Sequence, residues 1–452
     1  MGLDEVLSYL TAHRDEHREI LFELLRQPSI SAHDAGVREC AALLATTIER
    51  QGIAARVIET RGQPVVYADL PGPPGAPTIL FYGHYDVQPP DPLDEWVTPP
   101  FEPAIRDGRI YARGAGDNKG QLLAHVFASG AYLATGTPPP INVKLLFEGE
   151  EESGSPNLAE FFRRHRELLR ADAVITADGP KHESGRAQVF FGVRGLLYVQ
   201  LEAAGANRDL HSGNKGGLAP NPAMRLCQLA ASMKTPDGRV AIEGFYDDVV
   251  GPTPYERELL GRIPFDEVEV KRDLGLAALE RVGGLPHLEK LMFEPTLNIC
   301  GFHSGYGGPG SKTVIPARAT LKMDMRLVAD QDPDDIYSKF VSHCDQQAPE
   351  VVVKRLGRGT PPSKTSPELP ICQRVVRAVV AAAGDGEPVV LPVLGGSMPD
   401  YLFTKVLGAP SIGVPYANPD ENNHSPNENL GLAEFYAGII TSAHIIQGVA
   451  QA

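Results

Sequence analysis

Cysteine is scarce in this chain, with five residues in 452: Cys40, Cys227, Cys300, Cys344 and Cys372. The number is odd, the spacing is wide, and no C-x-x-C occurs. That excludes a disulfide framework and a thiolate zinc site, and suits reduced, buried thiols in a cytoplasmic setting. Long apolar runs are missing too. None approaches the roughly 20 residues of a membrane span. The opening Met-Gly-Leu-Asp-Glu-Val has no basic or apolar signal segment, and Val6 stands where a myristoylation motif wants Ser or Thr. No membrane partner is expected. Basic charge is in deficit, 42 Lys and Arg against 57 Asp and Glu, for a net −15. Nucleic-acid binders normally carry a basic surplus, so no nucleic-acid partner is expected. Bound divalent cations would offset part of the acidity.

The length exceeds one ordinary core, so two domains are expected. A stripe of Val6, Leu10, Leu21 and Leu24 predicts a helix over 4–26, ended by Pro28. A second helix is predicted from Val37 to Gln51, stopped by Gly52. Short strands follow at 54–58 and 65–70, then compact apolar strands at 78–82, 143–147 and 173–176. Helices to about 135 and at 158–169 separate them. Strands alternating with helices predict an α/β fold with a mainly parallel central sheet flanked by helices. The pattern then changes. Leu197, Val199 and Leu201, and later Leu321, Met323, Met325 and Leu327, alternate with polar residues, the period of strands with one wet face. With helical stretches at 222–233, 254–291 and 333–346, they predict a smaller α+β domain over 193–361. Pro361 to Pro367 resembles a linker. A helix at 371–383, a strand at 388–393 and a helix at 432–450 return to the first pattern. The catalytic domain is therefore expected in two parts, 1–192 and 362–452, interrupted by the insert.

Chemistry collects at the carboxyl ends of the apolar strands. The first delivers His84 and Asp86, the second Glu150, Glu151 and Glu152, the third Asp178. Asp117 stands just before a helix. In an open parallel sheet these ends share one edge, where ligand sites form. Four glutamates within five residues (148–152) repel unless they fan into water or a cation holds them. Imidazole and carboxylate without thiolate suit zinc or manganese, and a carboxylate can bridge two ions. In His84-x-Asp86, a ligating imidazole can donate its other N–H to the carboxylate, which fixes its tautomer. Each signal alone has a plainer explanation. His84 also suits a loop, the glutamates a solvated acidic turn, and Asp117 an N-cap. A rival, His13-Arg14-Asp15-Glu16-His17, fits an inverted zinc-protease motif, though both histidines also suit a packing face.

The stretches 83–89 (GHYDVQP), 113–120 (RGAGDNKG) and 148–155 (EGEEESGS) resemble motifs of the dinuclear aminoacylase/carboxypeptidase-type metallopeptidases. The stretches 209–213 (DLHSG), 308–316 (GPGSKTVIP), 395–397 (GGS) and 423–428 (NHSPNE) resemble its branch of cytosolic non-specific and carnosine dipeptidases. The resemblance spans nearly the whole chain in order. It implies that the insert is a ferredoxin-like lid and dimerisation domain. It implies two divalent ions per chain, zinc first and manganese second. His84 and Asp178 would hold one, Glu152 and His424 the other, with Asp117 bridging and Asp86 orienting His84. A non-proline cis peptide would follow Asp117. Glu151 would be the general base. Asp at 178 favours the dipeptidase branch; Asn118 departs from the Asp of many relatives and lowers the local charge. In a homodimer, His211 would reach into the partner subunit's site toward the scissile carbonyl. Arg326, on the polar face of its strand, would bind a substrate carboxylate, helped by Thr313 and the Gly396–Ser397 turn. Expected is metal-dependent hydrolysis of dipeptides or short peptides with a free C-terminal carboxylate, by a metal-bridging water. The alternatives are a deacylase of N-acyl amino acids on the same metals and a non-catalytic binding protein on the same fold.

Overall fold

The computed structural model describes residues 2–280, 285–384 and 386–450. The apolar strands assemble into an eight-stranded sheet. Its order is Ala55–Ile58, Val65–Leu70, Asn142–Glu148, Thr78–His84, Ala173–Thr176, Ser411–Gly413, Gln188–Phe190, Val389–Leu391. The three strands that deliver the candidate ligands are adjacent and parallel, with Thr78–His84 in the middle. Antiparallel pairs flank this parallel centre. The sheet is thus mainly parallel, as expected. Helices Gly120–Ala134, Leu432–Ala450 and Pro370–Ala383 pack with it in the largest apolar core.

The insert forms a second, antiparallel sheet in the order Thr296–Ser304, Arg318–Leu327, Gly195–Ala204, Val352–Thr360. Helices Pro222–Ser232 and Pro333–Gln347 cover one face, where Leu197, Val199, Leu201, Leu321, Met323, Met325 and Leu327 are buried. This is the predicted period-two face.

Several boundaries differ from the sequence expectation. The helix predicted over 4–26 is two, Leu3–Ala12 and Arg14–Arg26. At the break, His13 leaves helical dihedrals (φ −103°, ψ 18°), and its Nδ1 donates to the Tyr9 carbonyl at 2.8 Å beside its own backbone N–H. The helix predicted at 158–169 divides at His165. The stretch 254–291 is three short helices, Pro254–Leu260, Glu267–Asp273 and His287–Phe293, with residues 281–284 outside the described set. Pro264 interrupts it and Asp266 caps a fresh start. Leu260, Ile263, Met292 and Phe293 from this stretch pack on Phe190, Val389 and Leu391, at the edge of the catalytic sheet. The excursion therefore bridges the two sheets. The presumed linker is also structured: Ser363 and Lys364 pair with Val193 and Gly192. A Cβ at Gly192 would meet the Ser363 carbonyl oxygen at 2.4 Å, so only glycine permits the approach. The two chain crossings between the sheets thus run side by side. Among the described residues, no helix is long and apolar enough to cross a membrane.

Candidate metal centre

His84 is the last residue of the central strand, and its Nδ1 lies 3.1 Å from the Asp86 carbonyl oxygen and 3.4 Å from Asp86 Oδ1. Both are acceptors, so Nδ1 carries a ring proton and Nε2 is the nitrogen left for a metal. Nε2 faces Asp117 Oδ1 at 3.0 Å and Asp178 Oδ2 at 3.8 Å. The other oxygen of Asp117 faces His424 Nε2 at 3.1 Å, and Glu152 Oε2 lies 3.2 Å from the same nitrogen. The five residues named as ligands therefore come together as two half-sites, His84 with Asp178 and Glu152 with His424. Asp117 lies between, offering one oxygen to each. Ligand atoms of His84, Asp117 and Glu152 all fall within 4.8 Å of one another.

The electrostatics fit a cation. Burial alone would lower the His84 pKa, but its hydrogen bonds to Asp117 and Asp86 hold it well above the usual range. Hydrogen bonds to Asp117 and Glu152 push His424 up to about 10. Burial, reinforced by Asp117, raises Asp178 to about 6. Burial opposes ionisation of Asp117, yet the two imidazoles hold it well below the normal carboxylate range. Glu421 is buried beside Gly116, and neither of its oxygens has a hydrogen-bond partner among the described residues. Burial, then Asp117, pushes it up to about 10. Carboxylates and imidazoles are thus crowded together with more acid than the two rings can balance, a situation that oxygen- and nitrogen-seeking divalent ions relieve.

The glutamate run divides by partner. Glu148 accepts from Tyr82 Oη at 2.5 Å and Ser155 Oγ at 2.9 Å. Asn157 Nδ2 donates to both oxygens of Glu150. Gln88 Nε2 donates to Glu152 Oε2 at 2.9 Å. Glu151 is pushed well above its ordinary pKa by burial, with His84 opposing and Asp178 adding to the shift. Asp86 has a second task. Its two oxygens accept the backbone N–H groups of Glu151 and Glu152 at 3.2 and 3.1 Å, fixing the turn that carries both.

Some supporting residues had no assigned role in the sequence. Glu428, fully buried, accepts from Arg113 Nη1 at 2.7 Å and from the backbone N–H groups of Gly114, Gly116 and Asp117. It holds the loop that presents Asp117. Only a buried acid so close to Arg113 in space hints at this, and 315 residues separate them in sequence. Asn118 accepts from the His84 N–H and donates to the Ala177 carbonyl oxygen at 2.6 Å, linking two strand ends. An ionised aspartate at 118 could not donate this second bond. The cis peptide after Asp117 is present. His424 stands at φ 57°, between Asn422 and Asn427 also at positive φ, in a loop pinned by Asn427 to Glu95 and Val97.

The remaining candidates form two separate groups. Arg326 Nη1 donates to Ser397 Oγ at 2.9 Å, so the lid arginine meets the Gly396–Ser397 turn of the catalytic part. His211 and Thr313 lie together on an exposed two-strand ribbon, with Nε2 3.4 Å from Thr313 Oγ1. His211 Nδ1 accepts the Gly213 N–H, which leaves its proton on Nε2. Among the described residues, neither contacts the metal ligands of its own chain. The rival histidines are not a site. His17 is buried and stacked 4.3 Å from Phe127, whereas Glu16 is exposed on the other side.

The chain is similar to several known peptidases. The human Beta-Ala-His dipeptidase is 27% identical over 96% of this chain and 90% of its own. The Cys-Gly metallodipeptidase of Saccharomyces cerevisiae is 31% identical, covering 85% of this chain and 82% of its own. Among solved structures, an M20 family metallo-carboxypeptidase from Sulfolobus solfataricus superposes with a TM-score of 0.87. It is 38% identical over 96% of this chain and 99% of that one. The model of peptidase family M20/M25/M40 matches residues 80–448, and the chain belongs to that family.

Proposed function

We propose that this chain is a dinuclear metallodipeptidase. One observation carries the reading: the two oxygens of Asp117 each face a different imidazole. His84, Asp178 and Asp117 would hold one ion, and Glu152, His424 and Asp117 the other. The nitrogen and oxygen donors suit zinc first and manganese second. When bound, such a pair polarises a peptide carbonyl and acidifies water. Glu151, next in the chain to a ligand but not itself one, takes the proton of the attacking water and passes it to the leaving amine. Arg326 and Ser397 hold the C-terminal carboxylate, which limits substrates to short peptides. Thr313 and His211 act from the partner subunit of a homodimer, with the His211 Nε2–H directed at the scissile carbonyl oxygen. The exposure of His211, with its Nε2–H turned to no candidate ligand of its own chain, supports action in trans. The site operates in the cytoplasm, in keeping with reduced cysteines.

The likeness to a metallo-carboxypeptidase favours a second reading, removal of a C-terminal residue from longer peptides. A panel of dipeptides, tetrapeptides and N-acetyl amino acids on zinc- and manganese-loaded protein decides the matter. The dipeptidase reading expects dipeptides to be cleaved fastest. Faster tetrapeptide cleavage would favour the carboxypeptidase, and faster acetyl release the deacylase. Cleavage of none would restore the non-catalytic reading.

A further inference from the structure

The lid sheet has one helix-covered face, and its other face carries polar side chains toward the catalytic part. On that face Asp324 and Arg326 are two residues apart on one strand, so they point the same way. Asp324 is 8% exposed, a cost for a carboxylate unless its oxygens are engaged. Its Oδ2 lies 3.4 Å from Arg326 Nε, and its Oδ1 accepts from Cys300 Sγ at 3.3 Å. Arg326 thus gives its Nε edge to Asp324 and its Nη1 to Ser397.

A second guanidinium serves the same place. Arg194, 8% exposed, stands where the chain crosses into the lid. Its backbone N–H donates to the Gly396 carbonyl oxygen at 3.0 Å, and its Nε to that of Gly395 at 2.8 Å. These two bonds hold the turn that carries Ser397. Burial, helped by the charge of Arg326 and opposed by Asp324, lowers the Arg194 pKa to about 10. Asp324 is thus ion-paired to Arg326 alone, while Arg194 is engaged by the two carbonyl oxygens of the turn.

We propose that Asp324 and Arg194 are positioning residues for substrate-carboxylate recognition. Asp324 sets the Arg326 fork, while Arg194 fixes the Ser397 turn across the seam between the sheets. The inference rests on the reading that Arg326 binds the substrate's C-terminal carboxylate. It assigns the preference for free carboxylates to four residues, two of which touch no substrate.

The test compares Ala-Gly with its C-terminal amide, on the zinc-loaded full chain. Asp324→Asn keeps the shape and removes the charge. It is expected to raise KM for Ala-Gly roughly tenfold, the usual worth of a charged hydrogen bond, with kcat little changed. The amide, which lacks the recognised group, should be unaffected. Asp324→Glu should restore much of the preference. Arg194→Lys, which keeps the charge but loses the Nε bond to Gly395, should also raise KM for the free carboxylate alone. Equal losses on both substrates in Asp324→Asn, or an unchanged preference, would overturn the inference. Arg326→Ala separates the layers. If it abolishes the preference while Asp324→Asn and Arg194→Lys keep it, only the positioning roles fall. If Arg326→Ala keeps the preference, the carboxylate reading falls and the inference with it. Should Asp324→Asn fail to fold, a wild-type preference in Arg194→Lys would itself count against the inference.

Discussion

At the residue scale, four adjacent acids have four environments. Glu148, Glu150 and Glu152 are each held by a named donor. Glu151 is the one we propose for proton transfer. Glu151→Gln should bind metal as the wild type does yet turn over on the order of 10²–10⁴ more slowly. Metal analysis beside steady-state kinetics checks this, and near-normal turnover would remove the assignment. Glu428 makes a different kind of claim. Its carboxylate is the buried partner of Arg113, and truncating one member of such a pair strands the other. Glu428→Ala should cost about 3–5 kcal/mol of stability, read by denaturant unfolding of the metal-free protein. The chemistry-bearing residue types were legible because each needs a specific group at a strand end. Glu428 was not, because its work is to hold backbone N–H groups brought near only by folding.

At the element scale, the central helix Gly120–Ala134 carries a buried titratable group away from the metal centre. His125 stacks on Phe81 and meets Ser442 Oγ at 3.0 Å, joining this helix to the C-terminal one. Burial depresses its pKa from 6.5 to about 3. The folded state therefore prefers neutral His125. Its contribution is complete above about pH 6.5 and is lost as pH falls toward 3, because the unfolded chain takes the proton first. Between pH 7 and pH 5 this amounts to about 2 kcal/mol. Metal-free wild type should lose that much more stability over the interval than His125→Leu, by urea unfolding at both pH values; equal losses would contradict it. The strands were legible from apolar runs and period-two alternation. Helix ends were less so. The break at His13 falls within an unbroken apolar stripe, and the excursion at 254–293 is shaped by packing on the catalytic sheet rather than by period.

On the scale of the whole molecule, the two half-sites come from chain segments 340 residues apart, His84 to His424, and an inserted domain lies between them. The order of motifs along the chain made this architecture readable. The contacts between the two sheets were not, since they depend on side chains such as Arg194 whose partners lie 200 residues away. Two predictions belong at this scale. Mixing His211→Ala with Glu151→Ala subunits should restore part of the activity, because a mixed dimer contains one intact composite site. No recovery, with subunit exchange demonstrated, would contradict action in trans. Chelation should loosen the ligand turns first, so that amides at 149–155 and 421–427 exchange with deuterium before those of the central sheet. Simultaneous loss of protection everywhere would argue against the cluster as the restraint on those turns.

The central claim is that two ions, bridged by Asp117, serve one hydrolytic site. Its most direct test is Ala-Gly turnover by the metal-free protein as zinc is added in measured equivalents. The account predicts negligible activity without metal and a rise that levels off at two equivalents per chain. Full activity at one equivalent, or activity independent of zinc and manganese alike, would contradict it.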